Sequence, residues 1–319
     1  MKMQSEWQDP MRAVGERWFA DPTPFREDMI KYWGDWGANS EFGELKAVLL
    51  RRPGPEIEGI TDPAKIRFRA IPDPDRAREQ HDRLADVYRT HGVQVHYVES
   101  MPPDKPNGMF CRDLCVMTPE GAIVCRPALT IRRGEERYVA EVLARLGVPI
   151  VRTINGCGTF EGADLMWVNS TLVFLGLGNR SNLEGCRQVE RELRAMGVEE
   201  VVYVQIPYGS AHLDGFMNII DGRTAVCFPW QTPFVAVEAL RRRGFRILEV
   251  PNVRELRTNM SINFVALAPG VIVMAKGSPE AARMYREAGV EVIEVEVDEL
   301  MKGWGSIHCM TAPLKREPV

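Results

Sequence analysis

The sequence predicts an α/β fold in which five strand-strand-helix-strand units, related by five-fold pseudo-symmetry, close into a propeller around a central site. Three observations carry this. Five amphipathic helical stretches each end in a glycine that an apolar strand follows at once. Those glycines, Gly92, Gly147, Gly197, Gly244 and Gly289, recur at separations of about 55, 50, 47 and 45 residues, the signature of a repeated supersecondary unit. One or two further apolar segments precede each helix.

Taken in order, the first unit opens on the strand Leu45–Leu50 and closes on HGVQVHYV. The second uses residues 114–124, split into a hairpin at Pro119-Glu120-Gly121, and closes on LGVPIVRT. Residues 165–175 with MGVEEVVYV make the third unit. Residues 217–228, turning at Asp221-Gly222-Arg223, with RGFRILEV make the fourth, and residues 264–274 with AGVEVIEV the fifth. Glycine belongs at each helix end because the residue that follows a helix often adopts the left-handed conformation, which other residues reach only with strain. Repeats that bury a helix on one side must either stack openly or close, and five units without a polar capping repeat favour closure. Residues 1–41, with Trp7, Trp18, Trp33 and Trp36, precede the first unit and are expected to pack over it as an N-terminal extension. Residues 42–319 then form a single domain, since no Pro/Ser-rich or charged linker divides them.

Composition narrows the function classes. A chain of 319 residues with 45% hydrophobic and 26% charged content can bury a large core without metal or disulfide. A net charge of −4 gives no sign of a nucleic-acid-binding surface. The longest apolar stretch, residues 262–275, is broken by Asn263, Pro269 and Gly270 and is too short for a membrane helix. The charged N-terminus has no signal-peptide pattern, which places the protein in the cytoplasm. Seven cysteines are too few and too irregular for a disulfide framework, and the pair Cys111 and Cys115 has no second ligand pair at zinc-finger spacing. A homo-oligomer is left open.

The polar signatures fall at one place in the repeat, after the strand that closes one unit and before the next begins. They are Asn107-Gly-Met-Phe-Cys-Arg112-Asp113, Phe160-Glu161-Gly-Ala-Asp164, His212-Leu-Asp214, Thr258-Asn259 and Gly305-Ser-Ile-His308-Cys309-Met-Thr311. In a closed ring these ends point at one axis, so Asp113, Glu161, Asp164, His212, Asp214 and Cys309 can meet across almost 200 residues of sequence. A thiol is a nucleophile only as thiolate, and His212 is placed to act as its base or as a later proton donor. Four carboxylates beside a thiolate would repel the oxyanion of ester or amide attack. They suit a planar, permanently charged guanidinium, which paired carboxylates grip bidentately.

At these residues the chain resembles the guanidino-group-modifying superfamily, whose fold is the five-bladed α/β propeller called the pentein fold. Within it the chain is most similar to the arginine deiminase and dimethylarginine dimethylaminohydrolase-like hydrolases. His308-Cys309-Met-Thr-Ala-Pro313 resembles the family's C-terminal nucleophile motif, Glu161-Gly-Ala-Asp164 its Glu-Gly-Gly-Asp, and His212-Leu-Asp214 its His-Leu-Asp. The resemblance implies that Cys309 attacks the guanidinium carbon, that Glu161 and His212 manage protons, and that Asp113 and Asp214 clamp the guanidino nitrogens. It implies substrate contacts for Asp164, Arg180, Arg132, Asn107 and Trp304, with the two arginines on an α-carboxylate, and no metal or organic cofactor. Trp304 stands where arginine deiminases carry an arginine, and the chain is too short for the helical insert of many bacterial ones. The activity expected is hydrolysis of arginine to citrulline and ammonia; hydrolysis of methylarginine, agmatine or a related compound, or amidino transfer, are the alternatives.

Overall fold

The computed structural model describes Ala20 and residues 22–319. Trp7 and Trp18, expected in the N-terminal extension, lie outside the described residues. Helix α1 (Phe25–Tyr32) leads into the first unit, β1 (Leu45–Leu50), α2 (Pro74–Thr90) and β2 (Gln94–Tyr97). The second unit is β3 (Cys115–Thr118), β4 (Gly121–Val124), α3 (Glu135–Arg145) and β5 (Ile150–Thr153). The third is β6 (Leu165–Trp167), β7 (Leu172–Leu177), α4 (Leu183–Ala195) and β8 (Glu200–Gln205). The fourth is β9 (Met217–Asp221), β10 (Thr224–Cys227), α5 (Phe234–Arg242) and β11 (Arg246–Glu249), followed by α6 (Val253–Asn259). The fifth is β12 (Val265–Ala268), β13 (Val271–Ala275), α7 (Pro279–Glu287) and β14 (Glu291–Val295), and the chain ends on α8 (Ile307–Met310) and β15 (Ala312–Arg316).

These strands make five three-stranded sheets, each with a middle strand antiparallel to one neighbour and parallel to the other. A parallel pair needs a crossover, and the helix of each unit supplies it. The five-unit reading holds, and the structure shows how the ring shuts. Only one strand precedes α2 in the first unit, and its antiparallel partner is β15, with Val48 opposite Pro313 and Leu49 opposite Ala312. The last strand of the chain therefore completes the first sheet.

All five helix-ending glycines have positive φ, between 76° and 93°. Four of them face open space, so the backbone conformation alone requires glycine there. The apolar core forms four clusters that run around the ring, between sheets and helices. The centre is left to polar side chains. Residues 37–41 cross the ring on their way into β1: Gly37 N–H donates to the Leu314 carbonyl at 3.1 Å, Ala38 N–H to Thr118 at 3.3 Å and Glu41 N–H to Trp167 at 3.1 Å. Among the described residues no helix is long and apolar enough to cross a membrane.

Candidate active site

The turns that enter each hairpin converge on the ring axis. Asp113 ends the 3-10 turn Cys111–Asp113, Asp164 ends Gly162–Asp164, Asp214 lies in Leu213–Gly215, and Cys309 lies in α8. These turns touch one another, and at one place only glycine permits the approach: a Cβ on Gly162 would stand 2.2 Å from the Arg112 carbonyl oxygen. The fourth unit contributes Asn263, two residues before β12, rather than Thr258-Asn259. Thr258 instead accepts a hydrogen bond from Arg69 through its carbonyl, and Asn259 donates to the Gly277 carbonyl.

A cavity of about 1430 Å³ opens over this axis. Cys309, His212, Asp113, Asp214, Asn107, Arg132, Arg180 and Trp304 all line it. Glu161 and Asp164 do not; both are fully buried behind the wall. Glu161 Oε2 lies 2.7 Å from His212 Nε2 and accepts from Arg180 Nη1 at 3.0 Å. His212 Nδ1 lies 3.8 Å from Asp113 Oδ1, an oxygen that is buried and has no partner among the described residues. Burial disfavours a charged imidazole, but Asp113, Asp164 and the hydrogen bond to Glu161 together hold the His212 pKa well above its ordinary value. The same contact and charge hold Glu161 below its ordinary value against its burial. The pair is thus imidazolium and carboxylate.

On the sulfur side, Asp214 Oδ2 is 3.4 Å from Cys309 Sγ and accepts from Asn263 Nδ2 and His308 Nδ1, both at 2.9 Å. Asn263 Nδ2 also points at Sγ, at 3.2 Å, while its Oδ1 accepts from the backbone N–H groups of His308 and Cys309 at 3.1 and 3.3 Å. Burial, then the charges of Asp214 and Asp113, push the Cys309 thiol well above its ordinary pKa. A cation between those carboxylates would oppose that rise.

Two residues expected to touch substrate are otherwise engaged. Asp164 Oδ2 accepts from Ser181 Oγ at 2.6 Å beneath the β6–β7 hairpin, and burial pushes its carboxyl up to about 7. It supports the wall and does not reach the cavity. Arg132 is 4% exposed and pairs with Asp113 Oδ2 and Glu135 Oε2, so a substrate carboxylate would compete with two buried carboxylates for it. Arg180 keeps part of its fork free, with only Nη1 on Glu161. Asn107 donates to the Ile66 carbonyl at 3.1 Å and so ties the loop before α2 to the cavity edge. Trp304 lies half exposed at the rim with φ 65°, and the Arg69 guanidinium stacks 3.8 Å over its ring. Asp113, Glu161 and His212 lie close enough to hold a metal ion. Asp113 Oδ2 and Glu161 Oε2 already pair with Arg132 and Arg180, and Glu161 Oε2 also with His212, which leaves Asp113 Oδ1 as the oxygen of the three side chains that is buried without a partner among the described residues.

Sequence reasoning missed Asn263, His308 as a hydrogen-bonding group, and Glu41. Asn263 was visible only as an interruption of an apolar stretch. A polar residue in such a run needs a buried partner, and that is a usable signal.

Comparison with known proteins is consistent with this geometry. A family model described as N,N dimethylarginine dimethylhydrolase, eukaryotic, matches residues 73–316. The chain is 27% identical over 272 residues to N(G),N(G)-dimethylarginine dimethylaminohydrolase of Streptomyces coelicolor, covering 85% of this chain and 97% of that one. It is 24% identical to the arginine deiminase of Lactococcus lactis subsp. cremoris over 401 aligned positions, covering 88% of this chain and 98% of that one. The structure of the Pseudomonas aeruginosa dimethylarginine dimethylaminohydrolase, a cysteine-to-serine mutant complexed with citrulline, has the same fold. It superposes with a TM-score of 0.72 at 24% identity, over 85% of this chain and 99% of that one.

Proposed function

The chain belongs to the N,N dimethylarginine dimethylhydrolase family, and from that premise we propose that it hydrolyses the guanidino group of an arginine-type amino acid through Cys309. It is a hydrolase of C–N bonds in linear amidines, of the kind to which its dimethylaminohydrolase and arginine deiminase relatives belong. The observation that carries the reading is the placement of Cys309 Sγ in a cavity whose floor holds two carboxylates, Asp113 and Asp214, and the imidazole of His212.

Asp113 Oδ1, buried and unpartnered among the described residues, is an acceptor placed for a guanidinium N–H, and Asp214 offers a second carboxylate beside the sulfur. The bound cation favours the thiolate. The thiolate forms a C–S bond to the central carbon. His212, held protonated by its carboxylate neighbours, gives its proton to the departing nitrogen as the C–N bond breaks, and the amine leaves. Neutral His212 then takes a proton from water, whose oxygen adds to the carbon. The C–S bond breaks and the thiolate returns, leaving the ureido product and one proton released. Arg180, with free donors at the cavity wall, is the candidate for the α-carboxylate.

Two carboxylates flanking the site favour an unsubstituted guanidinium, because each methyl group removes an N–H donor from the clamp. Arginine is therefore the first substrate, with citrulline and ammonia as products. The second reading, an N-methylated arginine, is favoured by the family match and by length: the dimethylaminohydrolase aligns over 272 residues, whereas the arginine deiminase needs 401 positions. Incubation with arginine, methylarginines, agmatine and guanidinoacetate separates these, with ammonia, methylamines and ureido product followed. Ammonia and citrulline from arginine, absent in Cys309→Ala, are expected. Methylamine released from a methylarginine alone would establish the second reading, and a product formed only with an added amine would indicate transfer. No turnover of any of them, with Cys309 inert to a thiol alkylator, would overturn the hydrolase reading.

A further inference from the structure

A second imidazole links the Cys309 thiol to a carboxylate that does not line the cavity. His308 Nδ1 lies 2.9 Å from Asp214 Oδ2, the same oxygen that stands 3.4 Å from Cys309 Sγ. Its other nitrogen, Nε2, is buried without a hydrogen-bond partner among the described residues and faces Glu41 Oε2 at 3.6 Å. Glu41 precedes the first unit in sequence, yet it is only 4% exposed. Its Oε1 accepts from Arg112 Nη2 at 2.8 Å and from the Trp167 N–H at 3.2 Å, which fixes the carboxylate in place. A line thus runs from Arg112 through Glu41, His308 and Asp214 to the sulfur.

With Nδ1 on Asp214 and Nε2 aimed at Glu41, the ring stands between two carboxylates that are themselves fixed, Glu41 by Arg112 and the Trp167 N–H and Asp214 by Asn263. We propose that Glu41 is a positioning residue for the reaction: through the His308 ring, which stands between the two carboxylates, it fixes Asp214 beside the Cys309 thiol without touching substrate. The role rests on Cys309 being the nucleophile. Burial raises the Glu41 carboxyl, but Arg112 and His308 hold it far below its ordinary range, and the hydrogen bond from His308 lowers Asp214 against its burial in the same way. The remaining charged neighbours are Arg112, which acts on both Glu41 and Asp214, Arg316, which acts on Glu41, and His212, which acts on Asp214. The line explains why residues 37–41 are threaded across the ring ahead of β1: they deliver a carboxylate to the back of the nucleophile turn.

The test is the pH dependence of Cys309 alkylation by iodoacetamide in the full chain, with the site read by mass spectrometry, for wild type, Glu41→Gln, His308→Gln and the double variant. Glutamine at 41 keeps an oxygen for Arg112 and Trp167, so a fold-only role would leave the profile unmoved. The expected result is that each single variant moves the alkylation midpoint by about one pH unit, because the Asp214 charge that acts on the thiol is no longer fixed in place, and that the double variant moves it no further than either. A Glu41→Gln midpoint equal to wild type, or two shifts that add, would overturn the role while leaving the nucleophile standing. Cys309 unreactive at every pH would instead remove the nucleophile reading, and this role with it.

Discussion

Asp214 serves three groups with one oxygen, Asn263 Nδ2, His308 Nδ1 and Cys309 Sγ, which makes it the side chain whose conservative replacement is most informative. In Asp214→Asn the amide either turns its NH2 toward those donors or offers a neutral oxygen to the substrate cation. Turnover should fall by about 100-fold or more while unfolding stays cooperative, as steady-state rates and a thermal melt would show. Near-normal turnover would count against the clamp. His81 gives a prediction about stability. It is fully buried on α2, neither ring nitrogen has a partner among the described residues, and burial pushes its pKa down to about 4. Its folded pKa lies below the unfolded value, so the folded state binds fewer protons; its contribution is present above pH ~6.5 and is lost as pH falls toward 4, by about 3 kcal/mol in all. Asp164 and Glu135, both pushed up to about 7 mainly by burial, act in the opposite direction, so the difference between wild type and His81→Leu isolates the effect. Urea midpoints between pH 7 and 4.5 should fall more steeply in wild type; parallel curves would refute it. At this scale the polar motifs at the repeat junctions were legible because a cysteine, a histidine and carboxylates are unusual companions there. Asn263 and Glu41 were not, because one reads as a break in an apolar run and the other precedes the first repeat. The opposite roles of Glu161 and Asp164, three residues apart, depend on which oxygen finds His212 and which finds Ser181.

The helix-ending glycines allow the backbone and the packing contribution to be separated. Gly244 and Gly147 share φ 77°, but a Cβ at 244 meets nothing within 4 Å, whereas one at 147 would stand 2.8 Å from the Trp33 carbonyl oxygen. Gly244→Ala should therefore cost about 1 kcal/mol from left-handed strain alone, and Gly147→Ala measurably more, because the clash falls on backbone. Denaturant midpoints of the two variants check this, and equal losses would show that Trp33 yields without cost. These glycines made the elements legible in the sequence: the switch from helical to alternating apolar pattern coincides with a residue that has one physical reason to be there. Helix α6 was not legible. Its seven residues are too few to display a period, and it is held by contacts from elsewhere, with Asn252 Oδ1 accepting from Arg254 and Glu255 N–H groups and Glu255 in turn accepting from the first N–H groups of α7.

Closure of the ring is a property of the whole molecule, and it joins stability to chemistry. A pattern of five repeats indicates closure but not which strand closes it, since pairing between the two ends of a chain leaves no local signal. Here β15 pairs with β1, and the nucleophile stands just before β15, so the seam and the site share one segment. Arg316 fastens that seam. It is 2% exposed, and Nη1 donates to the Gly43 carbonyl at 2.7 Å and to the Ala266 carbonyl at 2.8 Å, joining the last strand to the entry of the first unit and to β12 of the fifth. Burial pushes its pKa down to about 10, so it remains charged at neutral pH, beside Glu41. Arg316→Ala would leave two buried carbonyls without a donor and deprive Glu41 of a cation, at a cost of about 3 kcal/mol or more. Loss of tryptophan fluorescence and exposure of the buried Cys309 thiol to alkylation should then move together to lower denaturant as one transition, because an opened seam withdraws α8 from the axis. A variant in which the thiol becomes accessible well before the fluorescence changes would show that the seam opens on its own, and that closure positions the nucleophile without holding the five units together.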